Sequence, residues 1–223
     1  MTRFIYDQFS KDYLDELLSP YGEVNASRSI VSEIQEIDLC FSPSTNQLPN
    51  ELGLLGKLAN QFCLFEPYRN PVTPSQIRAC LGKLVAVEGK MIREFKRNQQ
   101  SFTEANVPYL WVLTPTASKR IIQGVKGEII SELGEGVYLS GEVFKTGLVV
   151  IHQLPVTPET LLLRLLGRGK VQSNAITEVE SLSEDNPLKS IILEALHHCG
   201  MIYNKGENLN SPIAMNKHEN QLS

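Results

Sequence analysis

No property of this 223-residue chain is extreme, and its absences narrow what it can be. Charge of one sign is not in excess. The 21 Lys and Arg against 25 Asp and Glu leave a net charge of −4. Global electrostatics therefore do not favour nucleic acid, and any phosphate affinity must come from a local basic patch. Cysteine is sparse: Cys40, Cys63, Cys80 and Cys199 form no CxxC pair and have apolar neighbours. That excludes a zinc-finger pattern and a disulfide framework, and suits small buried hydrophobes in a reducing compartment. No apolar run approaches the roughly 18 residues needed to span a bilayer. Residues 1–4 open an amphipathic segment instead of a signal peptide. A cytoplasmic protein with no membrane partner is the simplest expectation. There is no internal repeat, and no Ser/His/Asp or Cys/His constellation stands out. Gly167-Arg168-Gly169-Lys170 lacks the strand-before, helix-after pattern of a phosphate loop and reads as a helix end. His197-His198-Cys199 places ligands too close in sequence for a tetrahedral metal site. His152, at a strand end, reads as a hydrogen-bonded core histidine.

What is present is ordinary globular material, 42% hydrophobic and 21% charged, and the length suffices for one well-buried domain, or one domain plus an appendage. Ile5, Phe9, Tyr13, Leu14, Leu17 and Leu18 recur at helical spacing over 4–18, and Ser19-Pro20-Tyr21-Gly22 stops that helix. Glu16, seven positions after Phe9, returns to nearly the same angle and should point inward. Segments 23–33 and 36–41 read as a hairpin turning near Ser32 to Gln35, with Ile37, Leu39 and Phe41 on one face. A loop over 42–50 and a short helix over 52–61 follow. Residues 62–65 are apolar on both faces, as in a central strand. Thr73, Pro74 and Gln76 form a capping box opening a helix to Arg97, whose outer side is basic: Arg78, Lys83, Lys90, Arg93, Lys96 and Arg97. Tyr109 to Leu113 is a strand, and the strand–helix–strand order favours a parallel pair. Residues 117–135 are glycine-rich and give no clear pattern. Beyond them come strands at 136–139 and 146–153, helices at 161–166, 176–182 and 187–198, and a polar, disordered tail from 204. The expected class is α/β (α+β), a mixed central sheet flanked by helices, with a core over 1–116 and 117–200 packed on it.

Two strands each carry one acid within apolar surroundings, Asp38 in Glu36-Ile37-Asp38-Leu39-Cys40-Phe41 and Glu66 in Phe62-Cys63-Leu64-Phe65-Glu66-Pro67. Such an acid must be solvated, paired or metal-bound, because burying it bare costs several kcal/mol. Oxygen ligands suit Mg²⁺, which needs few carboxylates because it keeps several waters. The plain alternative pairs Asp38 with Arg28 across the hairpin, and Glu66 with Arg69 or Arg78.

The order helix, hairpin, strand, helix, strand with acids at Glu16, Asp38 and Glu66 resembles the PD-(D/E)XK nuclease core. The phrases Lys11-Asp12-Tyr13-Leu14-Asp15-Glu16, Glu36-Ile37-Asp38, Leu64-Phe65-Glu66-Pro67-Tyr68-Arg69-Asn70-Pro71, Leu110-Trp111-Val112-Leu113-Thr114-Pro115 and Ile151-His152-Gln153-Leu154-Pro155 are similar to those of small cyanobacterial proteins of the recombination-promoting nuclease and transposase group. The likeness runs to about residue 198. It implies a restriction-endonuclease-like core with a C-terminal helical extension, and Mg²⁺ (or Mn²⁺) held by Glu16, Asp38 and Glu66. It also implies DNA as substrate and a homodimer as an assembly to test for. The lysine that the family keeps two positions after its second acid is here Tyr68. Lys83 or Gln76, on the following helix, could take that role. Arg69, Arg78, Lys83 and Lys90 are the candidate phosphate contacts. The rival expectation is an inactive core kept as a DNA-binding or protein-interaction module.

Overall fold

The computed structural model describes residues 3–31, 34–45, 47–125, 128–129 and 133–198. The expected tail from 204 and Cys199 lie outside them. Helix α1 (Arg3–Leu18) ends where Pro20 enters a 3-10 turn. Strands β1 (Gly22–Val31) and β2 (Ile34–Pro43) form the hairpin, closing at Val31↔Ile34. Helix α2 (Gly53–Leu58) is shorter than the pattern suggested, because exposed Asn60 and Gln61 leave no apolar face to bury after Ala59. Gly53 is required where it stands: its φ is 52°, and a Cβ there would meet the Glu159 backbone oxygen at 2.3 Å.

Strand β3 (Cys63–Pro67) is buried throughout. It leads into α3 (Pro74–Arg97), whose capping box is formed as the sequence predicts. Strand β4 (Tyr109–Thr114) returns parallel to β3, as expected of the crossover. The unpatterned segment holds α4 (Lys119–Gly124) and the two-residue β5 (Glu128–Ile129). Strands β6 (Val137–Leu139) and β7 (Thr146–Val150) follow. Helices α5 (Leu161–Arg164), α6 (Lys170–Glu180) and α7 (Lys189–His198) complete the described chain.

One seven-stranded mixed sheet results, in the order β1-β2-β3-β4-β7-β6-β5. Its centre, β3-β4-β7, is parallel; both flanks are antiparallel. Residue 116 is therefore no break in the sheet, since β7 pairs directly with β4. Helices cover both faces. On one side Phe9, Tyr13 and Leu17 of α1 pack with Leu55, Leu163, Val179 and Leu196. On the other, Ile77, Cys80, Leu84 and Val87 of α3 pack on Leu64, Leu110 and Val112. Each fully buried Phe, such as Phe9, Phe41 or Phe65, contributes roughly 1.5–3 kcal/mol. Buried polar tips are tied down: Tyr13 donates to the Leu162 carbonyl at 3.1 Å and Trp111 Nε1 to that of Leu58 at 2.8 Å. Cys40, Cys63 and Cys80 are buried and in no disulfide, as the composition suggested. No described helix is long and apolar enough to cross a membrane.

Strand β2 departs from simple alternation. Leu39 and Phe41 join the α1-side core, but Ile37 joins the α3-side one. Asp38 sits at the point where the strand changes which layer it feeds.

Candidate functional site

The β2–β3 ladder pairs Leu39 with Phe65, so the next step along it brings Asp38 to Glu66. The Asp38 backbone N–H donates to Glu66 Oε1 at 3.4 Å. The two strand acids expected to meet are therefore together. They are not alone. Lys83 Nζ from α3 lies 2.8 and 2.7 Å from Glu66 Oε1 and Oε2, holding both carboxylate oxygens. Lys11 Nζ from α1 lies 2.9 Å from Asp38 Oδ1. The sheet end is thus clasped by two helices, each supplying one ammonium group to one carboxylate. The described ion-pair partners of the two acids are thus lysines, and the Arg28 side chain lies outside the described residues.

Exposure divides the pair. The Glu66 side chain is 2% accessible and that of Asp38 27%, so a ligand would enter over Asp38. Burial first, then the negative charge of Asp38, pushes the Glu66 carboxyl up to about 7, although Lys83 pulls the other way. Cys80 Sγ stands 4.0 Å from Glu66 Oε2, and the Tyr68 hydroxyl 3.1 Å from Cys80 Sγ. Burial and the neighbouring thiol raise the Tyr68 phenol above its ordinary value, so it stays protonated. Tyr68 contacts the cluster through Cys80 and supplies no cation; Lys83 does that instead.

Two expected members are elsewhere. Glu16 is half-buried as its helix phase predicted, but the charges around it are Glu194, His198, Asp12 and Asp15. Burial and Glu194 raise its carboxyl. It faces α7, and among the described residues no group of three or more His, Cys, Asp or Glu is placed to hold a metal ion. The three-carboxylate site is therefore corrected to two carboxylates with two lysines. The physical reason is angular: Lys11, five positions before Glu16, reaches Asp38, and five residues turn a helix by about 140°. Gln76 is also withdrawn from the site. Its Oε1 accepts from the Thr73 N–H at 2.9 Å in the capping box.

Of the expected phosphate contacts, Lys90 lies two turns beyond Lys83, at nearly the same angle on α3. Arg69 is half-buried just past β3, and Arg78 is exposed at the mouth of a separate cavity. A further cluster escaped the sequence. The Arg168 guanidinium, between α5 and α6, donates to Asn70 Oδ1 at 2.8 Å, and its backbone N–H donates to His152 Nε2 at 3.2 Å. His152 is therefore exposed on the turn after β7, not in the core, and partial burial with Arg168 lowers its affinity for a proton. Asn70 follows β3 and His152 follows β7, so this cluster gathers at the carboxyl ends of the parallel strands. Open α/β sheets place their ligands there. Only Gly167-Arg168-Gly169 hinted at it in the sequence, and that segment proves to be the junction where α5 ends and α6 begins. No protein-family model, no curated protein and no solved structure matches the chain.

Proposed function

We propose that this protein is a divalent-cation-dependent phosphodiesterase acting on DNA, built on a PD-(D/E)XK-like core. The observation that carries the reading is the cluster at the end of β2 and β3: Asp38 beside Glu66, with Lys83 bound to both oxygens of Glu66. The order α1, β1, β2, α2, β3, α3, β4, with β3 and β4 parallel, supports it.

The donor set suits a hard cation. Two carboxylates satisfy the protein's share of Mg²⁺ or Mn²⁺ coordination, with waters and a phosphate oxygen completing it. Burial first, and then the Asp38 charge, raises the proton affinity of Glu66, and Lys83 offsets this only in part. Asp38 and Glu66 would hold the ion. Bound there, it supplies Lewis-acid polarisation of a phosphoryl oxygen and acidifies a water. Lys83, anchored by Glu66 through two of its three ammonium N–H groups, would present the third to the attacking water or the phosphate. Lys11 fixes the Asp38 carboxylate. Arg168, Arg69 and Lys90 offer salt-sensitive phosphate contacts.

Supercoiled plasmid with Mg²⁺ or Mn²⁺ tests this directly. Nicking by the wild type that is lost in Asp38→Asn supports hydrolysis at this site. Calorimetric cation binding should disappear in the same variant. Absence of nicking with either ion refutes the enzyme and favours a second reading, an inactive core serving as a DNA-binding module. What favours that reading is that Asp38 and Glu66 each already have a lysine partner. Fluorescence anisotropy with a labelled duplex would then still report binding.

A further inference from the structure

A cavity of about 410 Å³ lies between α3, α4 and the segment joining β6 to β7. It is on a different flank of α3 from the acid pair, since Arg78 and Lys83 are five residues and about 140° apart. Its walls are apolar, with Ile77 and Leu81 from α3 facing Ile121 from α4. The charged groups that line it are Arg78 and Arg120, with no carboxylate among the described residues of the lining. Neither arginine has an ion-pair partner among the described residues. The next segment leaves apolar surface in water: Val143 is 89% exposed, and Phe144, which lines the cavity, is 56% exposed. Exposed apolar side chains beside an apolar cavity are the signature of a surface that something covers.

We propose that this cavity is a binding site for a small amphipathic anion, a ligand with an apolar body and one carboxylate or phosphate head. Size sets the first limit. A volume of 410 Å³ lies within the range of about 300–1,000 Å³ seen for small-molecule sites, and is too confined for a duplex. Charge sets the second. Two arginines line an otherwise apolar chamber, a guanidinium fork suits a carboxylate or phosphate, and the described lining holds no acid to compete, Glu142 lining only the adjoining cavity. A neutral apolar ligand would leave both unused. The site is independent of the acid pair, so it stands whether or not the chain cleaves DNA.

Calorimetric titration of the full chain with decanoate, decyl phosphate and decanol tests the proposal. One saturable site is expected for the anions, with whichever head binds more tightly identifying carboxylate or phosphate as the source. Each arginine should be worth about tenfold in affinity, as charge-assisted hydrogen bonds are, so the exposed-site double variant R78A/R120A should weaken binding by about a hundredfold. Decanol should bind the wild type no better than the anions bind that variant. Filling the chamber with Ile121→Trp should abolish binding. Decanol binding as tightly as decanoate, unchanged affinity in R78A/R120A, or no binding of any probe would each overturn the site.

Discussion

Replacing Lys83 by Met isolates the buried ion pair, and its cost should depend on pH in a defined direction. Glu66 is 2% exposed and both its oxygens lie within 2.8 Å of Lys83 Nζ. Removing one partner of such a pair costs about 3–5 kcal/mol if the other must stay charged. Glu66 has an escape, because it can take up a proton. Burial and Asp38 already place that proton's release at about 7 in the native protein. At about pH 5.5 the carboxyl is mostly neutral, so the variant loses little more than a hydrogen bond, about 1 kcal/mol. Above 7 the native chain gains from ionising Glu66 beside Lys83, and the variant cannot. Each pH unit of forfeited ionisation is worth ~1.4 kcal/mol, so by about pH 8.5 the loss grows by about 2 kcal/mol, to about 3 in all. The sign for the wild type follows from the same shift. Between the ordinary carboxylate value and about 7 the folded chain holds a proton that the unfolded chain has released, so this group's contribution to stability falls as pH rises through that window. Urea denaturation followed by circular dichroism at both pH values measures the loss, with unchanged m values confirming comparable end states. The double variant Glu66→Gln, Lys83→Met should show no pH dependence of this kind. Equal losses for Lys83→Met at the two pH values would refute the reasoning.

Other sites give independent expectations. Arg164 is 1% exposed and donates to Glu178 twice at 2.6 Å, to the Thr157 carbonyl at 3.0 Å and to Thr160 Oγ1 at 3.1 Å. Arg164→Ala should cost about 3 kcal/mol in urea titrations, and Arg164→Lys should recover little because the fork is lost. Its pH trend has the same sign as that of Lys83 but lies lower on the pH scale: the Arg164 hydrogen bond holds Glu178 below its ordinary value, so the benefit is present at neutral pH and shrinks on acidification. Gly147 faces Trp111 across β4 and β7, and a Cβ there would lie 2.2 Å from Trp111 Cζ3. Gly147→Ala should cost about 1–3 kcal/mol through overpacking and shift the emission of the single tryptophan.

Elements with local signals were legible in the sequence. The Thr73-Pro74-Gln76 cap fixed where α3 begins, and polar punctuation bounded the hairpin and β4. Helix α6 begins at Lys170, six residues before the expected start, because Val171 alone is too weak an apolar marker to extend the pattern backwards. Periodicity turned Glu16 inward correctly but could not say what it would meet. That depends on α7, which arrives from the far end of the chain. The same limit hid Lys11 and Arg168. Their partners, Asp38 and Asn70, are 27 and 98 positions away, and no spacing rule links them.

Lys83 shows why a site can be more permissive than a motif. Residue 68 is two positions after Glu66, and Tyr68 packs against the same α3-side core on which Glu66 meets Lys83. A lysine at 68 could therefore reach Glu66 from the strand, as Lys83 does from the helix. What the buried carboxylate requires is an ammonium group within about 3 Å, and either backbone position can deliver one on a four-carbon stem. If that is the whole requirement, Tyr68→Lys should rescue Lys83→Met. The double variant should regain most of the roughly 2 kcal/mol of pH-dependent loss at about pH 8.5 while leaving the smaller loss at about pH 5.5 unchanged. Tyr68→Lys alone should destabilise, because two ammonium groups would then compete for one carboxylate. A double variant no more stable at high pH than Lys83→Met would show that the helix position matters in itself. The strand and helix lysines would then not be interchangeable.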